Sequence, residues 1–383
     1  MHIMFKRILN LPLDGASSIF LFGPRGTGKT SWIRETMPDA LYLDLLDFTT
    51  YSSLAANPSR LENLIPHNYN GWIVIDEVQR IPELLNQVHR LIESKKLRFL
   101  LTGSSARSLR RTGINLLAGR ALRYTMHTLT IQELGSAFNL PFVIQFGLLP
   151  SVFSHQDPKK YLESYVQTYL REEIIQEGLT RNVGNFSRFL EIASFSQGNL
   201  LNAAEVAREL GINRLTVANY FDILEDLLLA VRISVFSHRA KRKLIAHKKF
   251  YFFDAGVYRT MRPMGPLDSP DEAAGTSLET LFLQSLMAIN DYYNLGYSIS
   301  FWRTSAGDEV DFVLYGPRGL HAFEIKKSSH LPGKALKGLK TFKEDYPEAK
   351  LWMIFMGAQK EYYDGITALP FEEALKELPN ILK

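Results

Sequence analysis

Ile19-Phe20-Leu21-Phe22-Gly23-Pro24-Arg25-Gly26-Thr27-Gly28-Lys29-Thr30 decides the reading of the first third of the chain. Four apolar residues in a row, with no alternation, describe a strand covered on both faces. They run straight into the spacing G-x-x-x-x-G-K-T, and an amphipathic stretch follows. Strand, glycine loop and helix in that order are the context in which this spacing makes a phosphate-binding loop. Glycines let backbone N–H groups turn inward around an anion, and the N-terminus of the helix adds positive potential. The expected ligand is ATP with magnesium. Gly23, Pro24, Arg25, Gly26, Thr27 and Gly28 would form the cradle, Lys29 would reach the β- and γ-phosphates, and the Thr30 hydroxyl would ligate the metal.

The same alternation of apolar runs and amphipathic stretches continues to about Tyr124. Ala40–Asp44, Trp72–Ile75 and Arg98–Thr102 are further strand candidates, so a parallel sheet between helical layers is expected. The third strand ends in Asp76-Glu77. Beside a phosphate loop, Asp76 is the candidate to hold magnesium through water. Glu77 is the candidate to orient or deprotonate the attacking water. A pair of carboxylates, not a lone aspartate, points to hydrolysis.

The chain has 383 residues, too many for one ordinary core, and two to four domains are expected. Nearly half its residues are apolar and the formal charge is only +4, so bulk charge does not argue for nucleic acid. There is no cysteine, which excludes disulfides and thiolate zinc sites and fits a reducing cytoplasm. The nine histidines show no metal-ligand spacing. No apolar run reaches the length of a membrane span, and no membrane partner is expected.

Phe22–Thr30, Asp76-Glu77-Val78-Gln79, Leu101-Thr102-Gly103-Ser104-Ser105 and Leu117-Ala118-Gly119-Arg120 together make the sequence resemble the archaeal and bacterial AAA+ ATPases that carry a C-terminal domain of unknown function. The resemblance covers essentially the whole chain. It implies a polar sensor of the γ-phosphate at the end of the fourth strand, with Thr102, Ser104 and Ser105 as candidates. Many members of the wider class use asparagine there, and this chain has none. It also implies an arginine finger, with Arg120 first and Arg123, Arg107 and Arg110 behind it. A finger supplied in trans would need a homo-oligomer.

The middle of the chain changes character. Lys159 to Glu173 is helical in pattern, and Phe186 to Ala230 reads as three helices. Asn202–Gly211 followed by Arg214–Leu229 has helix-turn-helix spacing, as in winged-helix domains. Asn213, Arg214, Thr216 and Asn219 would be exposed on the second helix. Val231 to Phe253 reads as a two-stranded ribbon whose tip, His238 to Lys249, carries Arg239, Lys241, Arg242, Lys243, Lys248 and Lys249 with no acidic residue. That cluster suits DNA phosphates. The alternative is a purely structural helical module, to which the acidic Glu225 and Asp226 are better suited. Pro263 to Pro270 reads as a linker.

The last part opens with a helix at Gly275 carrying Glu279. Asp311 sits in the alternating run Glu309–Val313, and Glu324 and Lys326 sit two apart in Phe323–Lys326. Residues two apart share a strand face, so these side chains could meet across a hairpin. Adjacent carboxylates suit magnesium, and a lysine beside them could stabilise phosphate charge. Asp followed by Glu-x-Lys resembles the restriction-endonuclease-like nuclease fold. Glu309 and Lys327 are neighbours that could take these roles instead. The expected organisation is an α/β AAA+ ATPase domain over 1–135, a helical lid or connector over 136–180, a winged-helix-like module over 181–262 and a restriction-endonuclease-like α/β domain over 270–383.

Overall fold

The computed structural model describes residues 5–105, 117, 119–170, 183–266 and 269–383. The chain forms two compact units. One comprises 9–127 with 226–228; the other comprises 1–8, 128–225 and 229–383.

The first unit is built on a five-stranded sheet. Its strands are β1 (Ser18–Phe22), β2 (Leu41–Asp44), β3 (Trp72–Asp76), β4 (Arg98–Gly103) and β5 (Ala121–Thr125), in the order β2-β3-β4-β1-β5. Every pairing is parallel. β1 and β3 are buried along their whole length, as unbroken apolar runs require. The four sequence-predicted strands are all present. β5, Ala-Leu-Arg-Tyr-Thr, is an addition to them, because a half-exposed edge strand leaves no apolar run to read. Phe99, Leu101, Ile73 and Ile75 meet Leu84, Leu85, Val88 and Leu91 of the helix Leu84–Lys95 in one core.

The second unit holds an eight-stranded mixed sheet in the order β12-β13-β11-β10-β9-β8-β6-β7. The strands are β6 (Ala230–Val235), β7 (Lys249–Phe252), β8 (Ser298–Arg303), β9 (Glu309–Gly316), β10 (Gly319–Lys326), β11 (Lys350–Phe355), β12 (Glu361–Tyr363) and β13 (Ile366–Pro370). β8, β9 and β10 form an antiparallel meander. The helix Pro270–Tyr292 crosses it, and Phe282 packs against Phe312, Phe323 and Phe371. This helix starts five residues earlier than expected. Ser269 caps it, Pro270 occupies the first turn where no N–H is missed, and Asp271 and Glu272 follow at its positive end.

Val183–Ser194, Ala203–Leu210 and Arg214–Asp226 are the three middle helices, and Gly211 ends the second in the left-handed conformation that favours glycine. The two ribbon strands also form, and they pair antiparallel. Their setting differs from the expectation. β6 runs parallel beside β8 through Ser234↔Ser300 and Val235↔Phe301, so the ribbon is part of the same sheet as β8 to β13. Pro263–Pro270 therefore does not separate two sheets. Among the described residues, no helix is long and apolar enough to cross a membrane.

Candidate functional site

The glycine loop joins β1 to the helix Lys29–Thr36. Gly26 and Gly28 stand at φ 84° and 90°, where a side chain would be strained. A Cβ on Gly23 would lie 2.4 Å from the Met126 carbonyl oxygen, so only glycine fits. The Thr27 hydroxyl donates to the Pro24 carbonyl at 2.8 Å and closes the turn. Lys29 is buried, and its ammonium donates to the carbonyls of Gly23 (2.7 Å) and Pro24 (3.2 Å), which folds it back over the loop. The Thr30 hydroxyl donates to Asp76 Oδ2 at 3.0 Å. A threonine hydroxyl and a carboxylate side by side are hard oxygen donors of the kind magnesium takes. With the cradle, they fit the expected nucleotide and metal.

Asp76 ends β3 beside Asp44 of β2. Its Oδ1 accepts the Thr102 hydroxyl, and its Oδ2 also accepts the Tyr42 hydroxyl. Burial, then the Asp76 charge, pushes the Tyr42 phenol far above its usual range, so it stays a donor. Glu77 follows at φ 60°, a conformation that costs a non-glycine residue ~1–3 kcal/mol. Its N–H donates to Thr102 Oγ1 at 3.3 Å. Its carboxylate accepts the Gln79 amide at 2.5 Å, and the same amide nitrogen donates to Ser104 Oγ at 3.1 Å. Of the three sensor candidates, Thr102 thus touches Asp76, Ser104 touches Gln79, and Ser105 is buried. Tyr42 and Gln79 are site residues that sequence reasoning missed. Gln79 stood in the quoted Asp-Glu-Val-Gln run; Tyr42 gave no signal.

Arg120 is paired with Glu93, with about two fifths of its side chain exposed. Arg123 lies over the Phe22 ring, 5.5 Å from its centroid. Arg107 and Arg110 fall outside the described residues.

Two of the carboxylates of the second unit, Asp311 and Glu324, come together. Asp311 on β9 and Glu324 on β10 are buried, and Asp311 N–H donates to Glu324 Oε2 at 3.3 Å while Ile325 N–H donates to Asp311 Oδ2 at 2.9 Å. Lys326 pairs with Glu324 Oε1 at 2.5 Å. Glu279 accepts the Tyr251 hydroxyl at 3.1 Å. Burial first, and Asp311 second, pushes both Glu279 and Glu324 up to about 8. Among the described residues, no group of three or more His, Cys, Asp or Glu is arranged to hold a metal ion. One member of the cluster was placed elsewhere by sequence reasoning. Lys249, read as part of the basic ribbon tip, is buried here against Glu309 and Asp311.

The ribbon tip departs from its expected character in a second way. Arg242 pairs with Glu344 and, at 3.1 Å, with Asp345, and Lys241 reaches the Glu344 carbonyl at 3.4 Å. The run has no acid of its own, but the fold brings acids from a hundred residues away. Arg239, Lys243 and Lys248 are exposed. On the third helix Asn213, Arg214, Thr216 and Asn219 are exposed as expected, and so is Leu215.

Family models match three successive stretches of the chain. Residues 16–135 match the model of an AAA domain. Residues 138–268 and 274–374 match two domains of unknown function, DUF8612 and DUF4143. Uncharacterized proteins of Mycobacterium bovis and Mycobacterium tuberculosis are each 26% identical over 96% of this chain and 83% of their own length. Among solved structures, the Aeropyrum pernix ORC1 protein in complex with DNA is 14% identical, covering 64% of this chain and 86% of its own, with a TM-score of 0.27. The chain thus carries a nucleotide-binding AAA domain followed by a C-terminal DUF4143 domain.

Proposed function

We propose that this AAA-domain protein binds ATP with magnesium at Gly23–Thr30, hydrolyses it, and acts on DNA. The observation that carries the ATPase reading is the junction of Thr30 and Asp76, with Glu77 and Thr102 bonded to the same strand ends. Bound magnesium would neutralise phosphate charge. The loop N–H groups and Lys29 hold the phosphates, and Lys29 exchanges its carbonyl partners for phosphate oxygens. Thr30 and Asp76 would hold the metal. Glu77 orients a water and takes its proton, and Thr102 keeps Asp76 and the Glu77 backbone in register. Arg120 is the candidate finger, which would leave Glu93 when a second copy docks.

Lys29→Ala should abolish nucleotide binding, and undiminished ATP affinity in a titration would sink this reading. Glu77→Gln should still bind ATP while turnover falls ~10²–10⁴-fold, the range for a lost general base.

DNA is supported by the exposed Arg214, Arg239, Lys241 and Lys243. For the C-terminal domain, Asp311, Glu324 and Lys326 support a nuclease-like arrangement with Glu279 beside it. A second reading is favoured by Lys249: the domain binds a partner without cutting, and the chain is a nucleotide-dependent switch. Cleavage of plasmid DNA with magnesium or manganese, lost in Asp311→Ala, decides for the nuclease. Intact ATP hydrolysis with no cleavage decides for the switch.

A further inference from the structure

The acidic cluster of the C-terminal sheet contains a cation of its own. Lys249 opens β7, and 3% of its side chain is exposed. Its ammonium touches the Glu309 carboxylate and lies 3.4 Å from Asp311 Oδ1. It also lies 5.5 Å from the centroid of the Phe301 ring. The backbone on either side is tied down, since the Lys248 carbonyl accepts from Leu201 N–H at 2.8 Å and Phe250 N–H donates to the Asn199 carbonyl at 3.1 Å.

The carboxylate oxygens that a divalent ion would use are engaged from within the fold. Asp311 Oδ2 takes the Ile325 N–H and Oδ1 faces Lys249. Glu324 Oε1 takes Lys326 and Oε2 the Asp311 N–H. Glu309 Oε1 takes Lys249 and Oε2 takes Arg303 at 3.2 Å. Glu279 Oε2 takes Tyr251, which shares with Lys249 one face of β7. Three cationic side chains, Lys249, Lys326 and Arg303, thus serve Asp311, Glu309 and Glu324. Buried carboxylates need a counter-charge, and here Lys249 delivers it to the position between Asp311 and Glu309. The donor set is chemically fit for a hard cation, but Asp311, Glu309 and Glu324 each already face a cationic side chain.

We infer that Lys249 is the resident cation of this cluster, occupying the place between Asp311 and Glu309 and keeping divalent metal out. The inference rests on the switch reading of the C-terminal domain given above, and gives it a physical cause.

The test is a titration of the full chain with manganese alone, without nucleotide, read by the electron-spin signal of the free ion. Wild type and Asp311→Asn should bind manganese alike, because no ion depends on Asp311. Lys249→Met should gain a site at least ten-fold tighter than anything in wild type, and Lys249→Met with Asp311→Asn should lose it. A wild-type site that disappears in Asp311→Asn overturns the inference, as does a folded Lys249→Met that gains nothing. If Lys249→Met does not fold, the same charge logic is read by adding Asp311→Leu. Recovery of cooperative thermal unfolding in the double variant supports a resident ion pair, and failure to recover overturns it. Since no nucleotide enters the titration, a failed ATPase reading leaves this result untouched, and loss of DNA cleavage is not its readout.

Discussion

The side-chain amide of Gln79 donates to the carboxylate of Glu77, two residues back along the same turn, at 2.5 Å. That amide also reaches Ser104 at 3.1 Å, so the candidate water-activating group is tied to the end of β4. Glu77 sits in a left-handed conformation, and Gln79 is the contact that fixes where its strained side chain lies. Gln79→Ala should therefore lower kcat about ten-fold with little change in KM for ATP, the pattern of an interaction that matters only in the transition state. Steady-state kinetics check it; a raised KM with unchanged kcat would instead make Gln79 a binding residue.

The exposed basic groups should separate by partner. Arg239→Ala, Lys243→Ala and Arg214→Ala should each weaken a DNA gel shift and lower its salt dependence, by about one in slope for every phosphate no longer neutralised. Arg242→Ala should leave the shift nearly unchanged, because its charge is already answered by Glu344 and Asp345. Equal effects at all four positions would show that Arg242 leaves its partners for DNA.

Stability of the second unit should depend on pH from two sides. Burial, then the Lys350 charge, pushes His321 down from 6.5 to about 4. A base with a depressed folded value contributes stability above 6.5 and loses it as pH falls through 4. Glu279 runs the other way: raised from 4.5 to about 8, it contributes stability below 4.5 and loses it as pH rises through 8. Urea midpoints at several pH values should show Glu279→Gln flattening the loss of stability between pH 4.5 and about 8. They should show His321→Asn flattening the acid loss below 6.5.

What the sequence made legible follows from range. The glycine loop, the strand before it and the Asp76-Glu77 pair are local spacings, and they stand where the spacing put them. Asp311, Glu324 and Lys326 were legible because alternation along a strand fixes which side chains share a face. Lys249 was not, since its place depends on β6 pairing with β8 across more than sixty residues of chain. The pairing of Arg242 is hidden for the same reason: a run without acids says nothing of the acids that folding brings to it. β5 was invisible because half-exposed edges carry mixed composition.

Removing Lys249 leaves the buried Asp311 without its cation, while the half-buried Glu309 keeps Arg303. The expected loss is about 3–5 kcal/mol, as for a broken buried pair, measurable by denaturant titration against wild type. Asp311→Asn should cost less, since the amide keeps the Ile325 hydrogen-bond acceptor.

The parallel seam between β6 and β8 also bears on where the chain can be cut. The proline-rich run at 263–270 has the composition of a border, yet it is an internal crossing of one sheet. A gene fragment beginning there would encode a piece with an open backbone edge along β8 and with Glu309 and Asp311 parted from their lysine. A fragment that keeps this sheet whole begins before Ala230. The C-terminal strands and the ribbon are thus parts of one sheet, and neither is complete without the other.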